Sequence, residues 1–201
     1  MIERYSTKDM KRIWSDYNKF KTWEKVEIAV AETMKDKGII PKESFDVIKS
    51  KSKFDVDRIL EIEKITRHDV IAFLTNLSEN IGPDARFLHL GMTSSDLLDT
   101  SLALQCKEAG EIILEKLIKF SAVLKNNAIK YKNTFQIGRS HGVHAEPITF
   151  GLKNALWCEE INRGIVRWKN ALINISVGQV SGAVGTYQHI DPEIEKLVCE
   201  K

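Results

Sequence analysis

Residues 96–132 read "DLLDTSLALQCKEAGEIILEKLIKFSAVLKNNAIKYK", a stretch without proline and with Gly110 as its only glycine. Its apolar residues recur at the three- and four-residue spacing of a helix face: Leu97, Leu98, Leu102, Leu104, Ile112, Ile113, Leu117, Phe120 and Leu124. At 1.5 Å rise per residue, a helix of this length spans roughly 55 Å. Because so long a helix needs neighbours to cover its apolar face, the stretch predicts a helical bundle.

A second long helix is predicted directly after Pro147, over "ITFGLKNALWCEEINRGIVRWKNALINI" (148–175). The polar stretch between the two helices makes them an antiparallel pair. Two helices cannot cover each other's apolar surface, so further helices are expected from other copies or from a continuation of the chain. The last residues, "EIEKLVCEK", fall within another amphipathic pattern.

The residues before this pair predict a cluster of short helices. Ser6 and Asp9 resemble a capping box, and Phe20, Trp23, Val26, Val30 and Met34 mark one face of a helix that stops at Gly38 and Pro41. Asp55 or Asp57 is placed to cap the helix "RILEIEKI". No run alternates as a strand does, so we predict an all-α fold with an amino-terminal helical domain (1–93) and a partial central helical bundle (94–201).

Composition excludes several classes of protein. The hydrophobic share of 43% and the charged share of 29% are those of a globular domain, so disorder is not expected. The 30 basic and 28 acidic residues are intermixed, which argues against a nucleic-acid partner. The charged start lacks a signal peptide and no stretch predicts a membrane span, so a cytoplasmic location is expected. Three cysteines without a C-x-x-C pair favour neither disulfides nor a zinc ribbon.

Two polar stretches lie at predicted helix starts. In "TRHDV" (66–70), Arg67, His68 and Asp69 place a guanidinium, an imidazole and a carboxylate side by side, a set suited to an anion; the alternative is that Asp69 only caps the helix. In "GMTSSD" (91–96), three hydroxyls and a carboxylate open the longest helix, where the helix dipole favours phosphate or carboxylate. The alternative is again capping, by Thr93, Ser94 or Ser95.

A third stretch, "GRSHGVHAE" (138–146), presents His141 between two glycines on a turn. An imidazole there is suited to proton transfer. "HAEP" also matches the first half of a zinc deaminase signature, and His141 with His144 has H-x-x-H spacing, but the C-x-x-C half is absent. The glycines of "SGAVGT" (181–186) follow no strand and predict no phosphate loop.

Taken together, "MIERYS", "TRHDVIAF", "HLGMTSSDLLDT", "GRSHGVHAEPITFGLKNALW" and "SGAVGTY" resemble the bacterial adenylosuccinate lyases of the fumarase/aspartase superfamily. The resemblance covers the whole chain with the motifs in the family's order. It implies β-elimination of fumarate from adenylosuccinate, giving AMP, and from SAICAR, giving AICAR, without metal or cofactor. Such a reaction removes a proton beside a carboxylate, stabilises the resulting dianion and protonates the departing nitrogen.

The resemblance also implies roles for individual residues. His141 is the general acid, and His68 lies near the reacting end beside the substrate contacts Arg67 and Asp69. Arg4 and Tyr5 match the family's nucleotide contact, and Thr93 with Ser94 hold the fumaryl or phosphate anions. His89 matches an active-site histidine and is counted among the substrate-binding residues. His144 and Ser181 match motif positions without an implied role.

One family feature is missing. The family carries a mobile loop, G-S-S-x-M-P-x-K-x-N-P, whose serine is the general base, and these 201 residues contain no such pattern. We therefore expect the chain to be the amino-terminal portion of a homotetrameric enzyme, nearly inactive alone, whose sites are each built by three polypeptides. The alternatives are a non-catalytic helical oligomerisation module and, less favoured, a zinc-dependent deaminase.

Overall fold

The computed structural model describes residues 2–201 and, apart from Glu3, their side chains; Met1, where the first motif begins, lies outside the described residues. Among the described residues the elements are two short 3-10 helices, Glu3–Tyr5 and Pro83–Phe87, and the helices and strands α1 (Lys8–Ile13), α2 (Asp16–Asp36), α3 (Lys42–Lys51), α4 (Val56–Thr66), α5 (Asp69–Ile81), α6 (Ser94–Lys130), β1 (Phe135–Ser140), β2 (Val143–Thr149), α7 (Phe150–Ile175) and α8 (Pro192–Cys199). The all-α prediction is confirmed, with short helices first and two long ones after them.

Helix starts follow local capping chemistry. The Asp55 carboxylate accepts a hydrogen bond from the Arg58 amide at 2.8 Å, which confirms the predicted cap of α4. The predicted capping box at Ser6 is wrong by one residue, because the Thr7 hydroxyl accepts from the Met10 amide and α1 begins at Lys8. Helix ends are therefore readable from sequence to within about one residue where a short polar side chain is present.

The chain forms two compact units, residues 1–106 with 176–201 (unit 1) and residues 107–175 (unit 2). Unit 1 contains two buried apolar clusters that share α2. The first half of α2 packs against α3, α4 and α5, with the Phe20 and Phe73 rings stacked at 5.8 Å between centroids. Its second half packs against α8 through Met34 and Ile194. Helix α2 is therefore the central element of unit 1.

Unit 2 holds the rest of α6, the strands and α7. The Trp168 indole donates to the Gly110 carbonyl at 2.8 Å, and the Ser121 hydroxyl donates to the Asn162 side chain at 2.6 Å. Rising numbers on α6 thus meet falling numbers on α7, which confirms the predicted antiparallel pair. A Cβ at residue 110 would lie 2.5 Å from a Leu172 methyl carbon, so a larger residue there would require the Leu172 side chain to shift.

The stretch between these helices is a β-hairpin, which the sequence analysis missed. Strands β1 and β2 pair antiparallel, with an irregularity at Gly138. His141 and Gly142 form the two-residue turn with φ of 53° and 79°, the left-handed conformations of a type I′ turn. The expectation that no strand occurs was wrong for these residues. The glycines that predict a turn here occur equally in the turn of a hairpin, so they did not reveal the flanking strands.

The predicted division of the complete protein at residue 93 stays a prediction. Within the described part of the chain, no helix is both long and apolar enough to cross a membrane.

Candidate functional site

The start of α6 is tied to a distant loop by one buried carboxylate. Asp96 is fully buried, and its oxygens accept hydrogen bonds from the backbone amides of Ser181 at 3.1 Å, Gly182 at 3.0 Å and Thr93 at 3.0 Å. Three amide donors satisfy the charge that burial would otherwise make costly. Asp96 therefore fixes the "GMTSSD" and "SGAVGT" motifs relative to each other within unit 1.

The Asp96 carboxylate also bears on the alternative that Thr93, Ser94 or Ser95 only caps α6. Asp96 lies three residues after Thr93 and accepts a hydrogen bond from the Thr93 amide, which is one of the two hydrogen bonds of a capping box. Among the residues that the structure describes, none of the hydroxyls of Thr93, Ser94 and Ser95 takes part in a hydrogen bond. They remain available to a ligand beside the positive end of the helix dipole.

His89 lies in the loop before this helix and is held by a second buried carboxylate. Glu27 of α2, with its side chain 1% exposed, accepts from the His89 backbone amide at 2.9 Å and lies 2.6 Å from Nδ1 of the ring. His89 has a φ of 56°, so its backbone is left-handed. Gly91 follows with a φ of 73°, and a Cβ there would lie 2.7 Å from the His189 carbonyl oxygen. The loop 89–93 is thus fixed from both sides.

The "TRHDV" residues lie together at the junction of α4 and α5. The His68 side chain accepts from the Ile71 amide at 3.4 Å and so caps α5. The Asp69 carboxylate accepts from the Val70 amide and lies 3.6 Å from His68 Nδ1. The alternative in which Asp69 is the cap is wrong, because His68 occupies that position. Arg67 ends α4 in the left-handed region, and its side chain is exposed.

Arg4 and Tyr5 form an exposed pair at the amino terminus. The Arg4 guanidinium lies over the Tyr5 ring at 4.8 Å from its centroid, and Tyr5 is 72% exposed. A stacked guanidinium and phenol on an open surface can bind a planar or anionic group.

His141 belongs to unit 2 and lies at the tip of the hairpin with its side chain exposed. The cross-strand pair next to the turn is Ser140 with Val143, followed by Arg139 with His144. The His141 ring is open to solvent for proton transfer.

Backbone strain marks these motifs. Among the described residues, four that are not glycine have positive φ: Arg67, His89, His141 and Tyr187. Each such conformation costs about 1–2 kcal/mol in an L-residue. Three of the four are predicted site residues, and strained backbone of this kind concentrates at functional sites.

Tyr187 belongs to the 181–190 loop and was not among the predicted site residues. Its hydroxyl donates to Glu195 of α8 at 2.7 Å, and the other oxygen of that carboxylate accepts from the Val180 amide. The hydrogen bond to Glu195 raises the pKa of Tyr187 above the usual value for tyrosine. A surface cavity of about 350 Å³ lies beside this loop, lined in part by Met34, Leu90 and His189, and none of the predicted site residues lines it.

Three carboxylates hold these loops: Glu27, Asp96 and Glu195. Sequence reasoning missed Glu27 and Glu195, and it counted Asp96 only among the polar groups that open α6. A signal existed for Glu27, which lies at helical spacing between Trp23 and Val30 on the apolar face of α2. Among the side chains that the structure describes, no group of three or more His, Cys, Asp or Glu is placed to hold a metal ion.

Comparison with known proteins places these motifs in a family. A family model described as lyase (Lyase_1) matches residues 3–201. The chain is 50% identical over 201 residues to adenylosuccinate lyase of Bacillus subtilis (strain 168) and 51% identical to that of Synechocystis sp. (strain PCC 6803). Both alignments cover all of this chain and 47% of the relative, so the chain spans about half the length of these proteins.

The fold is also that of solved lyases. The crystal structure of fumarate lyase from Mesorhizobium sp. BNC1 matches 95% of this chain and 47% of its own, with a TM-score of 0.89 and 24% identity. The family model and the identity to the two relatives confirm the resemblance predicted from the motifs. The chain belongs to the lyase family that the matching model describes.

Proposed function

We propose that this chain forms part of an adenylosuccinate lyase, which eliminates fumarate from adenylosuccinate to give AMP and from SAICAR to give AICAR. The observation that carries the proposal is identity of about half of all residues, over the whole chain, to proteins named adenylosuccinate lyase.

The start of α6 supports binding of the anionic end of the substrate. A dianion forms when the proton beside a carboxylate is removed, and donors already in place stabilise it without reorganisation. The unengaged hydroxyls of Thr93 and Ser94 are such donors, because they lie beside the helix amides and Asp96 fixes the Thr93 backbone through its amide. We assign these two residues to the fumaryl or phosphate oxygens.

The exposed histidines support proton transfer to the leaving nitrogen. We assign His141 the role of general acid, because its ring is open at the hairpin tip and an imidazole exchanges protons near neutral pH. His68 is assigned to the reacting end. The remaining substrate contacts are Arg4, Tyr5, Arg67, Asp69 and His89.

The apolar surface of unit 2 supports assembly into a homotetramer. Helices α6 and α7 expose large apolar side chains along their length: Ile118, Phe120, Val123, Leu152, Leu156, Val166 and Ile173. Helices of further copies would cover this surface, and each site would combine residues of several copies. Replacing Leu152 and Leu156 by lysine should shift the complete protein to smaller species in sedimentation velocity.

Turnover requires a base that these 201 residues lack in the family's form. We expect the chain alone to release fumarate at least about 100-fold more slowly than a complete lyase, the usual cost of losing one member of an acid–base pair. A cytoplasmic location is part of the same proposal.

Calorimetric titration of the complete protein with AMP, followed by measurement of its fumarate release, tests the proposal. Thr93→Ala should weaken AMP binding, whereas Thr75→Ala, whose hydroxyl bonds only its own helix at the Ile71 carbonyl, should not. A complete protein that assembles but neither binds AMP nor releases fumarate would favour the non-catalytic oligomerisation module instead.

A further inference from the structure

Among the described residues, the hydrogen bonds of the buried Glu27 carboxylate are all made with one residue, His89. Its side chain is 1% exposed in the middle of α2, between the two apolar clusters of unit 1. Both carboxylate oxygens are directed at His89, one at the backbone amide (2.9 Å) and one at ring Nδ1 (2.6 Å). A buried carboxylate is unfavourable unless it is fully paired. The pairing therefore constrains the proton position and the orientation of the His89 ring as well as Glu27 itself.

We propose that Glu27 is a positioning residue of the lyase site, which holds a proton on Nδ1 of His89 and leaves Nε2 as the ring atom that meets an anionic oxygen of the substrate. The part that concerns substrate rests on the proposed function; the part that concerns the proton does not.

The proton assignment follows from donor and acceptor chemistry. An ionised Glu27 carboxylate only accepts hydrogen bonds, so with Glu27 ionised the ring nitrogen 2.6 Å away carries the proton between them. The backbone amide bonded to the other oxygen holds His89 in its left-handed conformation. Such carboxylate–histidine pairs fix the tautomer and the orientation of the ring in enzyme sites.

The Nε2 side of the His89 ring is the side that can meet the substrate. The His89 side chain is 19% exposed, and Nε2 has no hydrogen-bond partner among the described residues. The same loop carries Thr93, whose hydroxyl is also unengaged. When the ring takes a second proton, the imidazolium donates from Nε2 to a phosphate or carboxylate oxygen while its charge is balanced by Glu27.

Glu27→Gln tests the proton assignment with almost no change of shape. A backbone amide can only donate, so the oxygen of the substituted side chain must accept from the His89 amide and its NH₂ group must face Nδ1. Nδ1 then becomes an acceptor, and the proton of the neutral ring moves to Nε2. The matched control is Glu24→Gln, which changes another buried glutamate of α2 that pairs with Lys21 at 2.5 Å.

Two-dimensional ¹H–¹⁵N spectra of the imidazole rings of the 201-residue chain give the readout, with His89 assigned from the signals that His89→Gln removes. We expect Nδ1 of His89 to be protonated in the unmodified chain and in Glu24→Gln, and unprotonated in neutral Glu27→Gln. An unmodified His89 with a bare Nδ1, or identical ring signals in Glu27→Gln, overturns the proposal. If Glu27→Gln does not fold, the spectrum of the unmodified chain decides alone.

Activity of the complete protein separates this proposal from the proposed function. Glu27→Gln should lower kcat/KM by about 10- to 100-fold, the usual effect of removing a residue that orients a site group, and Glu24→Gln should not. An altered tautomer with unchanged kcat/KM overturns the positioning role and leaves the lyase assignment intact. An unmodified complete protein without lyase activity removes the lyase assignment and the positioning role, while the spectra still decide where the proton lies.

Discussion

The two units differ in how much of their apolar surface they bury. Unit 1 contains both buried apolar clusters, with Phe20, Trp23 and Phe73 almost fully enclosed. In unit 2, the 26 residues of α7 bury only Gly151, Asn154 and Cys158. The contrast indicates that unit 1 is stabilised by its own contacts, whereas unit 2 leaves much of its apolar surface exposed.

The units also differ in how they hold polar residues. In unit 1, buried carboxylates fix the backbone of the loops that carry Thr93 and His89. In unit 2, His141 is placed by a two-residue turn. Substitutions in unit 1 should therefore affect stability and function together, whereas those at the hairpin tip should affect function alone.

The largest expected effect is the loss of turnover in His141→Ala. Removing a general acid lowers the rate by about 100- to 10,000-fold, and an exposed side chain contributes little to folding. Fumarate release and thermal unfolding of the complete protein measure the two effects. His144→Ala, on the same hairpin, is the control and should retain turnover; equal losses in both variants would contradict the separation of function from stability.

The second-largest effect is expected when a phenylalanine is replaced by alanine in each unit, which tests the difference in burial between them. Phe73→Ala removes a ring packed on Phe20 and Trp23 and should lower the free energy of unfolding by about 3–5 kcal/mol. Phe120→Ala, at a site 48% exposed, should change it by about 0.5 kcal/mol or less in the monomeric chain. Urea unfolding measures both, and similar losses would show that unit 2 is as well packed as unit 1.

A smaller effect is expected for Asp96→Asn. The amide NH₂ would face a backbone donor, which leaves buried groups unpaired at a cost of about 1–3 kcal/mol. Hydrogen exchange of the Ser181 and Gly182 amides should also become faster. Asp99→Asn, exposed and three residues further along α6, is the control. Unchanged exchange in Asp96→Asn would show that the loop is held by other contacts.

The smallest effect concerns Tyr187 at high pH. Its pKa is raised in the folded chain by the hydrogen bond to Glu195, so the protonated form is favoured by folding. The stabilisation is therefore complete below the unfolded value of about 10 and is lost as pH rises through the higher folded value. Ultraviolet titration should show a late phenolate step that Tyr187→Phe removes. A Tyr187 step at the ordinary pH would contradict the assignment.

The helices of this fold are predictable because their signals are local. The spacing of apolar residues located α6 and α7, and Asp55 located the start of α4, since periodicity and capping depend on residues a few positions apart. The hairpin was missed because Gly138, Gly142 and Pro147 predict a turn equally well without strands. The cross-strand pairing, from Ser140 with Val143 to Phe135 with Thr149, distinguishes a hairpin from a turn without strands.

The candidate site residues were identified from motif resemblance, and their roles stay predictions. The carboxylates that hold these residues in place were not identified in this way, because the importance of a buried carboxylate depends on partners that are distant in the sequence. Asp96 is one of several acids in its helix, and its importance depends on amides 85 and 86 residues later in the chain. Glu27 similarly acts on a residue 62 positions away.

That long separation has a consequence during synthesis. When the start of α6 leaves the ribosome, two of the three amides that pair with Asp96, those of Ser181 and Gly182, have not yet been made. At about 5–20 residues per second they follow several seconds later. Until then the carboxylate has only the Thr93 amide as its partner and must otherwise stay hydrated. We expect the turn at residues 91–96 to be among the last parts of the nascent chain to become ordered, after the aromatic core formed by residues 20–73.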